Sequence, residues 1–241
     1  MNCYTKIQNK TRVVFTCLIS LLLFLTPNKS VYTQDQERDF KILLDRGEKN
    51  IYEILSQYIQ IESLSSEEKD AGEWLKNLCE ANGLYITQMG ETDGNYNFTA
   101  SIFPLSESLP NIVFVHHIDV VPGGDSSLWK HPPFSGLITE TDIWGRGAFD
   151  NKGPGIMQLF SIIQFLDRYE RPDIPFNITF LVVSCEETLC NGGVQFVIEN
   201  YLNLLNPSVV IGEGPTELSS ILKSTEGGLI FGISVVHKRA F

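Results

Sequence analysis

Two almost wholly apolar runs limit the folds open to this chain more than any other feature. They read IVFV at residues 112–115 and ITFLVV at residues 178–183, and both contain several β-branched side chains. A strand that is apolar at every position is covered on both faces, which is typical of a parallel sheet packed between helices. The runs therefore predict an α/β fold, in the form of an α/β/α sandwich with a mostly parallel central sheet.

Helical and extended patterns alternate along the chain, as this fold requires. Apolar residues recur at helical spacing over residues 37–61, and Ser65 with Glu68 forms a capping box that predicts a second helix ending at Gly83. Further helices are predicted near 154–169, where Ile156, Met157, Phe160, Ile163 and Phe165 should be buried, and at 192–204. Strands are predicted at 84–88, 97–103, 111–116, 177–184 and 208–214, with a hairpin at 134–145.

The first 33 residues differ in composition from the rest. Lys6, Lys10 and Arg12 precede the apolar run VVFTCLISLLLFLT, and polar residues follow it. This order is that of a secretory signal peptide cut somewhere near residues 27–35, and the run is short for a membrane span. We therefore expect an exported protein, periplasmic or secreted. The alternative is an uncleaved N-terminal anchor, which would hold the protein at a membrane.

The net charge limits the possible partners of the chain, and the cysteine count limits its possible disulfides. The formal net charge of −11 argues against nucleic acid as a partner, because nucleic-acid binding needs a basic surface. Two of the five cysteines lie in the leader, which leaves Cys79, Cys185 and Cys190. Three cysteines do not complete a disulfide framework. A single Cys185–Cys190 bridge would suit an exported protein, and buried free thiols are the alternative.

Residues whose carboxylate or imidazole groups could bind a metal lie at or just after the ends of predicted strands. Singly, each has an ordinary explanation, such as a structural histidine, a solvated acidic pair or a glycine-rich turn. Together they can converge, because sites in open α/β sheets form beyond the carboxyl ends of the strands. Carboxylates with imidazole suit zinc and similar divalent ions. The residues are His117, Asp119, Asp150, Glu186, Glu187 and Glu213.

The order of the motifs around these residues resembles a known enzyme family. The segment HHIDVVPGGDSSLWKHPPFSGLITETDIWGRGAFDNKG carries H-x-D-V-V-P, W-x-x-P-P-F and G-R-G-x-x-D-x-K-G. CEET and GEG follow, where the family has D-E-E and D-E-G. The chain thus resembles, over roughly residues 37–241, the di-zinc aminoacylase and carboxypeptidase family, which includes acetylornithine deacetylase and succinyl-diaminopimelate desuccinylase.

The resemblance implies a role for each of these residues. His117 would bind the first metal and Asp119 would hold its imidazole. Asp150 would bridge two metals, and the peptide bond after it is often cis in the family. Glu187 would bind the second metal, and Glu213 would complete the set around the first.

The implied reaction is hydrolysis of an amide bond in a small peptide or an N-acyl amino acid. A water held between two divalent ions would attack the carbonyl, and Glu186 would act as its general base. The ions would be Zn²⁺, with Co²⁺ or Mn²⁺ as alternatives. The WKHPPF segment (residues 129–134) is expected to serve packing rather than catalysis.

Departures from the family pattern define the alternative interpretation. Cys185 and Gly212 stand where the family has aspartates. We expect the catalytic domain to cover residues 37–225, and residues 226–241 to begin a lid domain through which the family often dimerises. The family's last metal-binding histidine lies beyond such a lid, and none of His116, His131 and His237 matches it. The second hypothesis is therefore a truncated, inactive fragment that binds at most one metal.

Overall fold

The computed structural model describes residues 48–92 and 95–212, and this part of the chain forms a three-layer α/β domain. Its helices are α1 (Glu48–Gln60), α2 (Lys69–Ala81), α3 (Lys152–Arg168) and α4 (Val194–Leu205). Its strands are β1 (Tyr85–Thr92), β2 (Asn95–Ser101), β3 (Asn111–His117), β4 (Leu137–Ile138), β5 (Ile143–Trp144), β6 (Asn177–Val183) and β7 (Pro207–Ile211). Every helix and strand predicted within this part is confirmed, with ends shifted by a few residues. The predicted leader, the residues before 48, Glu213, His237 and the start of the lid lie outside it.

The central sheet has the strand order β1-β2-β6-β3-β7. β3 pairs in parallel with both β6 and β7, whereas β2 runs antiparallel to β1 and to β6. Four of the five strands therefore point the same way, and β2 alone among them is reversed. β4 and β5 form the predicted hairpin as a separate two-stranded sheet. The carboxyl ends of β3 and β6 are neighbours at one edge, which is where the site must form.

The two faces of β6 explain why its sequence is mostly apolar. All seven residues of β6 are buried. Ile178, Phe180 and Val182 belong to the large core cluster that includes residues of α1, α2 and α3. Leu181 and Val183 belong to a smaller cluster with Val197 of α4. A strand covered on both faces favours apolar side chains, and beyond Asn177 and Thr179 the sequence stays apolar to the end of β6.

Two details of the helices differ from prediction. Met157 of α3 is 64% exposed rather than buried, while Ile156 and Ile163 are buried as expected. The Ser65–Glu68 capping box is wrong, because α2 begins after Glu68 and makes no side-chain capping bond. Both side chains of the supposed box are instead committed to the active-site region.

α1 and α3 are tied together by a buried lysine. Lys152, the lysine of the G-R-G-x-x-D-x-K-G motif, is 0% exposed, and its Nζ donates to the carbonyls of Tyr58 (3.0 Å) and Ile61 (2.6 Å) at the end of α1. The last carbonyls of a helix have no amide partner within it, and here the lysine supplies one in addition to the bond from the Ile61 amide to the Tyr58 carbonyl (3.3 Å). Burial lowers the pKa of Lys152 to about 7, although the nearby negative charge of Glu62 acts to raise it. The contact fixes the start of α3, directly after Asp150.

Within the described ranges, none of the helices has the length and apolar character needed to cross a membrane.

Candidate active site

The site begins where β3 and β6 end side by side. His117, the last residue of β3, pairs in register with Val183, the last residue of β6, and the Ile118 amide donates to the Val183 carbonyl (2.8 Å). Two residues beyond each of these partners lie Asp119 and Cys185. The parallel register therefore places the H-x-D motif against the turn that carries Glu186 and Glu187, although about 67 residues separate them in sequence.

Three of the predicted ligands come together here. His117, Asp150 and Glu187 each offer one ligand atom, and these atoms lie within 4.8 Å of one another. The Nε2 atom of His117 is 3.0 Å from Asp150 Oδ1. His117 is almost fully buried, whereas Asp150 is 59% exposed, so the group opens to solvent on the side of the aspartate. One imidazole and two carboxylates in this arrangement fit a divalent metal ion.

Asp119 is fully buried beneath this group and accepts hydrogen bonds both from the turn that carries Glu186 and Glu187 and from Ser65. Its Oδ1 accepts from the amide of Glu186 (3.0 Å), and its Oδ2 accepts from the amide of Glu187 (3.0 Å) and from the hydroxyl of Ser65 (2.7 Å). Burial would raise the pKa of Asp119, but hydrogen bonds from His117, Ser65 and the Glu186 amide outweigh it, so the pKa is lowered. Asp119 is therefore a carboxylate at neutral pH and a fixed acceptor.

The same aspartate sets the orientation of the His117 ring. The Nδ1 atom of His117 lies 3.0 Å from the Asp119 backbone oxygen and 3.3 Å from Asp119 Oδ1. Two acceptors at Nδ1 favour a proton there, which leaves the Nε2 lone pair pointing at the ligand group. This carboxylate–histidine arrangement is common behind protein metal ligands.

Asp150 is positioned from behind by His116. The peptide bond between Asp150 and Asn151 is cis, as the resemblance implied. His116 is fully buried, and its Nδ1 lies 2.6 Å from Asn151 Oδ1 while its Nε2 lies 3.0 Å from the Tyr58 hydroxyl. Gly155 on α3 lets the ring fit, because a Cβ at this position would overlap the imidazole. The structure thus gives His116 the structural environment that its place on the strand predicted.

Glu186 and Glu187 occupy a short turn at the mouth of the group. Glu186 Oε2 is 3.9 Å from His117 Nε2, and its side chain is 40% exposed, so it can meet solvent and substrate. Burial, followed by the charge of Asp150, raises the pKa of Glu187, and the proximity of His117 opposes that shift. Several carboxylates thus crowd one imidazole, an electrostatic environment that a bound cation would relieve.

A disulfide closes the turn. Cys185 and Cys190 are bonded with their Cα atoms 5.6 Å apart, which confirms the bridge that the sequence left open. The other cysteine of the described part, Cys79, is buried and free. The amide of Cys185 donates to Oε1 of Glu68 (2.9 Å). Burial raises the pKa of Glu68 from 4.5 to about 7, and Oε2 of Glu68 has no hydrogen-bond partner among the described residues.

The WKHPPF segment makes packing contacts with its neighbours. The indole of Trp129 donates to the Gly123 carbonyl (2.7 Å), and the guanidinium of Arg146 lies 5.1 Å from its ring centroid. The ring of His131 stands edge-on to Trp144, with centroids 5.1 Å apart. His131 is not part of the three-residue ligand group.

The structure therefore gathers four of the six predicted residues around one point, with Asp119 directly behind them. Glu213 follows the end of β7, which pairs with β3, but it lies outside the described residues. Sequence reasoning missed the supporting residues Tyr58, Ser65 and Asn151. Only Ser65 carried a signal, and that signal pointed to a helix cap.

Comparison with protein families gives a match to the model described as peptidase family M20/M25/M40 over residues 113–224, which include the ligand group. Succinyl-diaminopimelate desuccinylase of Methylorubrum extorquens is 37% identical over 139 residues, which cover 54% of this chain and 34% of that protein. The enzyme of the same name from Orientia tsutsugamushi is 32% identical over 155 residues, covering 64% and 39%. This chain thus spans little more than a third of the length of these relatives.

Solved structures show the same fold. An M20 family metallo-carboxypeptidase, Sso-CP2 from Sulfolobus solfataricus, superposes with a TM-score of 0.58 and 27% identity, covering 68% of this chain and 37% of its own. Human carnosine dipeptidase 1 superposes with a TM-score of 0.57 at 20% identity, covering 76% and 41%, and at that identity supports the fold alone.

Proposed function

We propose that this chain, which matches the peptidase family M20/M25/M40 over residues 113–224, is a metal-dependent hydrolase that cleaves amide bonds in small peptides or N-acyl amino acids. One observation carries the proposal. The ligand atoms of His117, Asp150 and Glu187 lie within 4.8 Å of one another, with a solvent-accessible carboxylate, Glu186, beside them. A ligand group with an adjacent, solvent-accessible carboxylate is the arrangement that hydrolysis of an amide needs.

Each residue of the site has a proposed role in this reaction. His117, Asp150 and Glu187, together with Glu213, would hold two divalent metal ions. Zn²⁺ is the first candidate, and Co²⁺ or Mn²⁺ are the alternatives. Bound divalent ions supply Lewis-acid polarisation of a carbonyl and make water more acidic. Asp119 keeps the His117 ring and the Glu186–Glu187 turn in place through the bonds described above.

Glu186 would move the proton. Its carboxylate takes a proton from the attacking water at Oε2 and passes it to the nitrogen of the leaving amine, so that the amide C–N bond breaks and an acid and an amine are released. The carboxylate can do this because its side chain is 40% exposed and its Oε2 lies 3.9 Å from His117 Nε2, whereas both oxygens of Asp119 accept from the backbone amides of the turn.

The relatives suggest which amides to test first. The curated relatives are named for succinyl-diaminopimelate, an N-acyl amino acid, and the most similar solved structure described above is named a carboxypeptidase. We propose that this chain acts on the same class of molecules, acyl or peptidyl groups attached to an amino acid.

Export is part of the proposal. It is supported by the basic, apolar and polar order of residues 1–33 and by the Cys185–Cys190 disulfide, because disulfides persist in oxidising compartments. N-terminal sequencing of the protein recovered from outside the cytoplasm tests this. A new N-terminus near residues 27–35 is expected, and an intact Met1 in a cytoplasmic fraction contradicts it.

The hydrolase proposal is tested by metal removal and replacement. The purified chain is stripped with a chelator, reloaded with Zn²⁺, Co²⁺ or Mn²⁺, and assayed for amine release from N-succinyl and N-acetyl amino acids and from dipeptides. Hydrolysis should vanish on stripping and return with metal. Activity that survives removal of all metal, or a chain that binds no metal, would contradict the proposal.

A further inference from the structure

The turn that carries the proposed base and one proposed ligand is enclosed in a covalent ring. Cys185 directly follows the buried end of β6 and Ser184, and its partner Cys190 lies five residues on. The disulfide between them encloses Glu186, Glu187, Thr188 and Leu189. The side chains of Glu186 and Glu187 therefore both leave the backbone from inside one small loop.

Packing alone does not hold the outer part of this loop. Cys185 is buried at 1% exposure, but Thr188 is exposed and Leu189 is 84% exposed, so no apolar core lies above it. The loop also contains two non-glycine residues in the left-handed region, Cys185 with φ of 65° and Leu189 with φ of 51°. Such residues disfavour this conformation on their own and need their surroundings to maintain it.

Hydrogen bonds to two buried carboxylates fix the Cys185–Glu187 side of the ring. The amides of Glu186 and Glu187 donate to Asp119, and the amide of Cys185 donates to Glu68. Toward Cys190 the loop has the turn bonds from the Leu189 amide to the Glu186 carbonyl (3.0 Å) and from the Cys190 amide to the Cys185 carbonyl (3.3 Å). Both of these bonds lie inside the ring. Just beyond it, the Gly192 amide donates to Cys190 Sγ (3.3 Å) and the Gly192 carbonyl accepts from Asn97 Nδ2 (2.7 Å), so the disulfide links the loop to this anchored segment.

We propose that the Cys185–Cys190 disulfide is a positioning element of the metal site, which holds Glu186 and Glu187 at the ligand group and thereby sets its affinity for divalent metal. The inference rests on the proposed function and deepens it. Reduction by a dithiol or phosphine breaks the S–S bond, gives two thiols and oxidises the reductant. The turn then loses its closure, and Glu187 samples positions away from His117 and Asp150.

The test compares metal affinity with and without the bridge in the full chain. Peptide mapping first establishes the Cys185–Cys190 bond. Co²⁺ is then titrated, by its visible absorption, into the oxidised chain, into chain that has been reduced with a phosphine, alkylated and freed of reagents, and into the variant Cys185→Ala with Cys190→Ala. We expect the Co²⁺ Kd to rise at least about 10-fold without the bridge, with an altered absorption spectrum.

Controls separate local positioning from general stability. Cys79→Ala should keep the response to reduction, and the double-alanine variant should not respond to it, which assigns the effect to this bridge rather than to another thiol. Far-UV circular dichroism should be the same with and without the bridge. Reoxidation of unalkylated chain should restore the original affinity.

Several results would overturn the inference. They are a Co²⁺ Kd that changes less than about 2-fold, free thiols at both positions in chain isolated from its own host, or loss of the whole fold on reduction. Failure of the hydrolase proposal is distinguishable, because the oxidised chain would then bind Co²⁺ tightly and cleave no amide. An oxidised chain that binds no Co²⁺ would remove the metal site itself and both proposals with it.

Discussion

Asp119→Asn is the substitution whose cost follows most directly from the structure. The change keeps the volume of the side chain but replaces one acceptor oxygen by a donor. If the amide nitrogen takes the place of Oδ1, it faces the Glu186 amide at 3.0 Å and the Nδ1 of His117 at 3.3 Å. If it takes the place of Oδ2, it faces the Glu187 amide and the Ser65 hydroxyl, so neither orientation satisfies every donor.

The magnitude can be estimated from these contacts. A hydrogen bond to a charged acceptor contributes about 1.5–3 kcal/mol, and a buried donor left without a partner costs about 1–3 kcal/mol. We expect the free energy of unfolding of the metal-free chain to fall by about 3 kcal/mol, which lowers Tm by about 6–12 °C in a domain of this size. Because the His117 ring also loses its acceptor, metal affinity should fall about 10–100-fold.

The assay is thermal and urea unfolding in chelator, followed by metal titration of the folded variant. Asp125→Asn is the matched control, because it makes the same change at an exposed carboxylate that accepts one bond from the Ser127 amide. It should alter the free energy of unfolding by less than about 0.5 kcal/mol. An Asp119→Asn chain that matches this control in stability and binds metal within about 2-fold of the original would refute the reasoning.

The neighbouring histidines and one buried acid give two further predictions. His117→Ala should abolish metal binding in a titration, whereas His116→Ala should retain it and lower Tm in chelator, because His116 supports Tyr58 and Asn151; equal metal loss in both would contradict the assignment. Glu68→Gln should make Tm in chelator less dependent on pH between about 4.5 and 7. The raised pKa of Glu68 means that its contribution to stability is complete below 4.5 and lost as pH rises through about 7, so an unchanged pH profile would contradict it.

The sequence predicts the centre of the site because local pattern and topology agree there. The apolar runs identify buried strands, and buried parallel strands bring their carboxyl ends together. The polar residues that follow these strands are then near one another whatever their separation in sequence. His117, Glu186 and Glu187 could be selected on these grounds, whereas Asp150 follows the separate β4–β5 hairpin and is indicated by the resemblance to the family motif.

The supporting residues could not be predicted, because long-range contacts override their local patterns. The segment that contains Leu64 runs beside Val120 as an isolated bridge, and the Val120 amide donates to the Ser63 carbonyl (2.9 Å). This pairing carries Ser65 to Asp119, 54 residues away, and removes it from the helix that its capping pattern predicted. Likewise, nothing near His116 in sequence indicates Tyr58, which reaches it from α1, 58 residues earlier.

The central claim, that Glu186 is the base of a metal-dependent amide hydrolase, is tested most directly by the rate of amine release from an N-acyl amino acid in Glu186→Gln at verified metal loading. Glu140→Gln, an exposed acid in the β4–β5 turn, is the matched control. The account predicts that Glu186→Gln keeps its metal and loses about 10²–10⁴-fold in rate, while the control is unchanged. A Glu186→Gln chain that hydrolyses the amide at the original rate would contradict it.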